Sequence, residues 1–304
     1  MKKKKIIITA ANGFLGKELG LFLREKYEVI GLVRSSQNEL VDGLRYVQWD
    51  GKSLGDWQQE FEGAFAVINM AGRSVDCRYN EKNKNDIIES RRESTMVVGQ
   101  AIDLCENKPK IWMNAASATI YRHSEDKAMG EESIEFGSGF SVDVCKMWEK
   151  TFFDFTYKNV RQLALRTTIV LGKNGGALHP MRQLAKFGLG GKQGKGTQMF
   201  SWIHIQDFCE AVQFMLDDVN MSGLVNMAAP EPVTNAVFMK MMRNAVGRYF
   251  GLPTPKFLLE LGARIIKTET ELILKSRFVI PEKLQSHGFE FEFSSADKAL
   301  KDLV

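Results

Sequence analysis

The segment Thr9-Ala10-Ala11-Asn12-Gly13-Phe14-Leu15-Gly16 has the spacing G-x-x-G-x-x-G, with Ala10 in place of the first glycine. Glycine at 13 lets the backbone approach a diphosphate, and glycine at 16 lets a following helix pack closely on the preceding strand. The N-terminus of that helix offers unpaired N–H groups to the anion. Asn12, Gly13, Phe14, Leu15 and Gly16 are therefore candidate contacts to a dinucleotide. Such a turn is informative only in its place. Here it follows the strand-like Ile6-Ile7-Ile8-Thr9 and opens a helical period through Leu15, Leu19 and Phe22. The alternative is a merely tight turn.

The next chemistry lies at the end of the second strand-like run, Glu28–Val33. An NAD-preferring site places a carboxylate about 20 residues beyond the glycines, on the ribose 2′-hydroxyl. The chain instead reads Arg34-Ser35-Ser36. A guanidinium and hydroxyls suit a 2′-phosphate, because Arg offers a planar fork of donors and a permanent charge. NADP(H) is expected over NAD(H), with Arg34 and Ser35 on the phosphate; an exposed arginine after a strand is the plainer alternative. Asp50 stands where it can accept from an adenine amino group, or close an ordinary Asp50-Gly51 turn.

The elements that must position these residues alternate short β-branched runs with helical periods, which predicts βαβ units. Strands are expected at Ile6–Thr9, Glu28–Val33, Tyr46–Trp49, Ala66–Met70, Ile111–Ala115, Leu163–Thr167 and Gly223–Met227. The longest helices are expected over residues 85–106 and 141–158, long enough to cross between parallel strands. The fold class is α/β: a doubly wound parallel sheet of Rossmann type with a smaller, mostly helical C-terminal lobe. Composition changes at Gly172. Residues 172–201 hold eight glycines and no acid, together with Lys173, Arg182, Lys186, Lys192 and Lys195. Two readings fit this stretch, a flexible solvated loop and a rim that attracts a phosphorylated or carboxylated ligand. Residues 1–172 plus about 204–228 form the expected dinucleotide-binding domain, and 173–203 plus 229–304 the substrate lobe and C-terminal domain.

Bulk properties exclude several classes. Forty-one Lys+Arg against 37 Asp+Glu give a net charge of +4 in 304 residues, too even for a nucleic-acid arm. With hydrophobic residues at 44% and charged ones at 26%, the chain is neither disordered nor a disulfide scaffold. The cysteines form no C-x-x-C pair, which removes common zinc and dithiol readings. The basic start breaks at Asn12-Gly13, too soon for a secretory core, and no run approaches about 18 uncharged apolar residues. A cytoplasmic protein without nucleic-acid, membrane or metal partners is expected, with a small-molecule, anionic substrate; a homo-oligomer is compatible with the sequence.

Together these features resemble an extended short-chain dehydrogenase/reductase of the NAD-dependent epimerase/dehydratase family, over nearly the whole length. Beyond the glycine turn, the resemblance is carried by Asn69-Met70-Ala71-Gly72, Ser117-Ala118-Thr119-Ile120-Tyr121, Leu165–Gly172, Gly175-Gly176-Ala177-Leu178, Ser201–Asp207, Asn226–Pro230 and Pro281–Phe291. It is closest to a branch labelled sugar-nucleotide epimerases or cell-division inhibitors, ending in a small domain of unknown function. The resemblance implies that Ser117 holds the substrate carbonyl at the cofactor's reactive end. It also implies that Ala71 and Gly72 face the ribose and phosphate, that Ala115 lies along the cofactor, and that Thr168 and Ile169 pass beside the carboxamide. Lys192, Trp202 and His204 fall where relatives hold the substrate.

The family's tyrosine and lysine, four residues apart on one helix, exchange a proton during hydride transfer. Counting four onward from each of the six tyrosines never reaches a lysine. Aligned by Trp148-Glu149, the pair falls on Ser141 and Cys145. Tyr121, His204 and Cys145 are conceivable replacements, each with a plainer reading as a packed aromatic, a hydrogen-bonded structural histidine and an inert core thiol. The expected function is an NADP(H)-dependent oxidoreductase or epimerase on a carbonyl or sugar-nucleotide substrate; the alternative is a non-catalytic NADP(H)-binding sensor.

Overall fold

The computed structural model describes residues 3–35, 40–265, 269 and 271–304; Lys2 and Ser36 lie outside them. The strands are β1 (Lys5–Thr9), β2 (Glu28–Val33), β3 (Leu40–Val41), β4 (Leu44–Gln48), β5 (Ala66–Asn69), β6 (Ile111–Ser117), β7 (Arg161–Thr167), β8 (Ile169–Gly172), β9 (Gly175–Gly176), β10 (Met199–Phe200), β11 (Trp202–His204), β12 (Gly223–Met227) and β13 (Val233–Thr234). The α-helices are α1 (Phe14–Leu23), α2 (Glu81–Leu104), α3 (Phe140–Phe153), α4 (Leu178–Lys186), α5 (Ile205–Asp217), α6 (Asn235–Ala245), α7 (Lys256–Ile265), α8 (Glu271–Leu274), α9 (Glu282–Ser286) and α10 (Ala296–Leu303).

The main sheet runs β12-β7-β6-β5-β1-β2-β4-β3, parallel throughout except for β3 at one edge. Strand order reverses beside β1, so a crevice opens at the carboxyl ends of β1 and β5, where α/β sheets bind ligands. Both faces are buried. Ile6 and Ile8 point into a core shared with Leu19, Phe208 and Val212 of α1 and α5. Ile7 points oppositely, into a core with Val97, Val98, Ala101 and Phe152 of α2 and α3. This two-sided burial explains why these strands read as unbroken apolar runs.

Two helix ends differ from expectation. Helix α2 starts at Glu81 because the Asn80 side chain accepts the Asn83 N–H and caps it. Helix α3 stops at Phe153, and Phe155 and Tyr157 turn back so that their rings pack on Trp112.

A smaller core joins Leu178, Met181, Trp202, Phe238, Met242, Phe293 and Leu300. The segment 277–280 is stitched between the two parts: the Ser201 hydroxyl donates to the Arg277 carbonyl at 2.7 Å and accepts the Val279 N–H at 2.9 Å. On the other side, Met129 N–H donates to Phe278 O at 2.7 Å and Ile280 N–H to Met129 O at 3.1 Å.

Candidate functional site

The glycine turn is a cradle with no room to spare. A Cβ on Gly16 would stand 2.4 Å from Ala10 O, and one on Gly13 3.2 Å from the same oxygen. Gly13 N–H donates to that oxygen at 2.9 Å. Ala10 itself has φ 50, the left-handed region that the usual first glycine occupies without cost. No side chain caps α1 and its first turn has no acid, so its leading N–H groups face the crevice mouth with their dipole uncompensated. The residues present therefore fit a diphosphate. While the Phe14 N–H belongs to that leading turn, its ring fills space that side chains on Gly172, Gly175 or Gly176 would claim. The glycines at that point are a packing requirement.

Arg34 and Ser35 are exposed directly after β2. Asp50 closes a turn, accepting the Lys52 and Ser53 N–H groups at 2.8 and 2.9 Å. The Ser53 N–H foremost, and that of Lys52, hold its carboxyl below the usual range.

Beneath the crevice runs a buried polar chain. Thr9 Oγ1 donates to Asn69 Oδ1 at 2.6 Å, and Asn69 Nδ2 to Asn114 Oδ1 at 2.7 Å. Trp148 Nε1 donates to Thr95 Oγ1 at 3.0 Å, and that hydroxyl to Asn114 Oδ1 at 3.4 Å. Asn69 Oδ1 also accepts the Ala71 N–H at 3.2 Å, and Asn114 Nδ2 donates to Ala115 O at 2.8 Å. The chain ties the loop carrying Ala71 and Gly72, and Ala115 within β6, to β1, β5, α2 and α3. Sequence reasoning noticed Asn69 only as part of a motif; the signal available was an amide inside each of two apolar strands.

At the end of β6, Ser117 Oγ accepts the Thr119 N–H at 3.2 Å, which leaves its proton to donate. The Cys145 thiol lies within its hydrogen-bonding reach and is pushed up to about 11 by burial, so it stays neutral. Ser141 Oγ donates to Glu271 Oε2 at 3.1 Å, reaching across to the C-terminal lobe. Thr168 is committed by both N–H and hydroxyl to Met227 O, at 3.1 and 2.8 Å, and Ile169 pairs with Trp202 in the β8–β11 register.

Three candidates are buried. Tyr121 is fully buried, with its single phenolic proton shared between Gly130 O at 3.0 Å and Asn226 Oδ1 at 2.9 Å. Burial holds that phenol above its ordinary range. In this position it braces Gly130, Asn226 and Arg166 against one another. His204 caps α5, its Nδ1 accepting the Gln206 N–H at 3.1 Å, and stacks on Phe293 at 3.7 Å. Burial lowers it to about 4, despite Asp302 3.3 Å from Nε2. Trp202 is fully buried in the smaller core, its indole donating to Glu231 O at 3.3 Å. In the structure Trp202 packs in the smaller core and His204 caps α5. Lys192 remains exposed on its loop. Among the described residues, no group of His, Cys, Asp and Glu could hold a metal ion, and no helix is long and apolar enough to cross a membrane.

Comparison with known proteins agrees with this geometry. Residues 6–228 match the model of the NAD dependent epimerase/dehydratase family, and residues 254–303 match a domain of unknown function, DUF1731. The epimerase family protein YfhF of Bacillus subtilis is 31% identical over 98% of this chain and 97% of its own. The crystal structure of human epimerase family protein SDR39U1 with NADPH superposes with a TM-score of 0.87 at 26% identity, covering 98% of each chain. At 15% identity and a TM-score of 0.80, a UDP-glucuronic acid 4-epimerase mutant of Bacillus cereus, bound to NAD and a fluorinated UDP-sugar, shares the fold; the match covers 98% of this chain and 97% of that one.

Proposed function

The chain belongs to the NAD-dependent epimerase/dehydratase family, and on that premise we propose that it is an NADP(H)-dependent oxidoreductase or epimerase acting on a small anionic carbonyl or sugar-nucleotide substrate. The observation that carries this reading is the cradle of Gly16 on Ala10 O at the uncapped start of α1. Asn12, Gly13, Leu15 and Gly16 would hold the diphosphate there, and Arg34 with Ser35 the 2′-phosphate. Ala71, Gly72, Ala115, Thr168 and Ile169 would line the rest of the nucleotide. The NADPH in the human relative supports that choice of nucleotide.

The nicotinamide, when bound, supplies hydride exchange. Ser117 would direct its hydroxyl proton at the substrate carbonyl oxygen, since its lone pair already serves Thr119 N–H. Cys145, neutral and buried, would not exchange a proton. With Ser141 and Cys145 at the tyrosine and lysine positions, the proton would come through water at Ser117 Oγ.

The test is calorimetric titration with NADPH and NADH, followed by absorbance of NADPH over a panel of carbonyl acids and sugar nucleotides. Tight NADPH binding with turnover of any panel member is expected. Binding without turnover would make the chain a nucleotide sensor, and no binding would end both readings.

A further inference from the structure

Three cations gather along α3 around Cys145, whose thiol is within hydrogen-bonding reach of Ser117, and one carboxylate accompanies them. Arg91, on α2, packs its guanidinium 4.9 Å from the Trp148 ring and against Gly72, with Nη1 donating to the carbonyls of Arg73 and Ile87, at 3.0 and 3.1 Å. Arg277 is 8% exposed, and its Nη1 finds the Lys275 carbonyl at a long 3.4 Å. Lys275 Nζ stands 3.5 Å from Glu271 Oε1, and the other oxygen of that carboxylate takes the Ser141 hydroxyl. Among the described residues, neither Arg91 nor Arg277 forms an ion pair with a carboxylate, although Glu271 favours the charge on Arg277 from farther away. All three cations lie close enough to Cys145 to act on its thiol, and burial lowers the affinity of each for its proton.

The same protein shows how it neutralises a buried arginine that is purely structural. Arg166 is 1% exposed, is clasped by both oxygens of Glu149 at 2.8 Å and donates to Tyr121. A guanidinium stays charged when buried, and leaving it unpaired is strongly unfavourable. Arg277 is almost as buried and lacks any such clasp.

We propose that Arg91 and Arg277, with Lys275 beside them, form the receptor for an oxyanion, carboxylate or phosphate, borne by the substrate within a few bonds of the carbonyl that Ser117 holds. The inference rests on the reading of Ser117 given above and narrows its substrate to an oxo acid or a phosphorylated carbonyl compound. Arg supplies a fork matched to either oxyanion. The acid-free loop at 172–201 then serves as approach, and these buried groups as destination. No local sequence pattern marks the receptor, because its members come from α2 and from the far end of the chain.

The test titrates inorganic phosphate, malonate and the neutral malonamide into the protein, with and without saturating NADPH. Saturable binding of phosphate or malonate and none of malonamide is expected. Arg277→Met and Arg91→Met should each weaken the anion by roughly thirtyfold, as truncating one side of a buried charge pair does, with NADPH affinity unchanged. Arg277→Lys should restore part of it, and it carries the test where Arg277→Met fails to fold. Equal anion affinity in the methionine variants, no saturable anion binding by the natural sequence, or parallel loss of NADPH would overturn the receptor. Failure to bind NADPH alone, with the anion still bound, would instead strike the nucleotide reading.

Discussion

Arg166 Nη1 donates to the Tyr121 phenol oxygen at 2.8 Å while its guanidinium carbon sits 5.0 Å from the same ring. The phenol is thus held by Arg166, Gly130 and Asn226 inside the protein. Tyr121→Phe should cost about 1–3 kcal/mol of stability by orphaning those partners. Turnover per folded molecule should stay unchanged. Denaturant unfolding and rates at equal folded concentration check both; a large fall in rate at full stability would return Tyr121 to the chemistry.

The Gly16 contact gives a second prediction. In Gly16→Ala the new methyl meets Ala10 O well inside contact distance, so the turn must open. NADPH binding should be lost, as read by calorimetry. Ala10→Gly removes the cost of φ 50, offset by the greater freedom of glycine in the unfolded chain, for a net gain of no more than about 1 kcal/mol. Its NADPH affinity should persist.

Arg34→Glu replaces a fork of donors by a repelling carboxylate after β2. Removing a charged hydrogen bond of about 1.5–3 kcal/mol should weaken NADPH by at least tenfold and leave NADH equal or tighter. Unchanged relative affinities would assign the 2′-phosphate elsewhere.

Ser117→Ala should lower turnover by roughly a hundredfold, the usual cost of one donor to a developing oxyanion, with NADPH affinity intact. Full activity in this variant would remove the serine from the mechanism.

His204 predicts an acid-side loss of stability. Its Nδ1 accepts the Gln206 N–H, so a proton there would break the cap of α5. The folded value of about 4 lies below the ordinary 6.5, so the contribution is complete above 6.5 and is lost as pH falls toward 4. The loss is at most about 3 kcal/mol, reduced by solvent reaching the Asp302 side. Asp207, pushed up to about 6 by burial, acts in the opposite sense and is common to both proteins compared. His204→Asn keeps a cap, and its unfolding free energy should fall less steeply between pH 6.5 and 4; parallel curves would refute the assignment.

Strands β2 and β12 match the expected residues one for one: β2 is a buried apolar run after Glu28, and β12 opens at the breaker Gly223. The turn before α1 was equally legible, since its requirements are local: glycine where a backbone must pass, and no cap. What failed to show in the sequence was long-range. His204 and Trp202 stand beside the acid-free loop in sequence, yet Phe293 and the smaller core claim them. The missing tyrosine and lysine could be counted. That Glu271, Lys275 and Arg277 gather opposite their former positions depends on a return of the chain that no nearby residue announces.

The stitching of residues 277–280 through Ser201 and Met129 also sets an order of events during synthesis. Every strand of the main sheet has left the ribosome before Lys275 and Arg277 are made. A nascent chain can thus own a nucleotide fold while the opposite wall of its crevice does not yet exist.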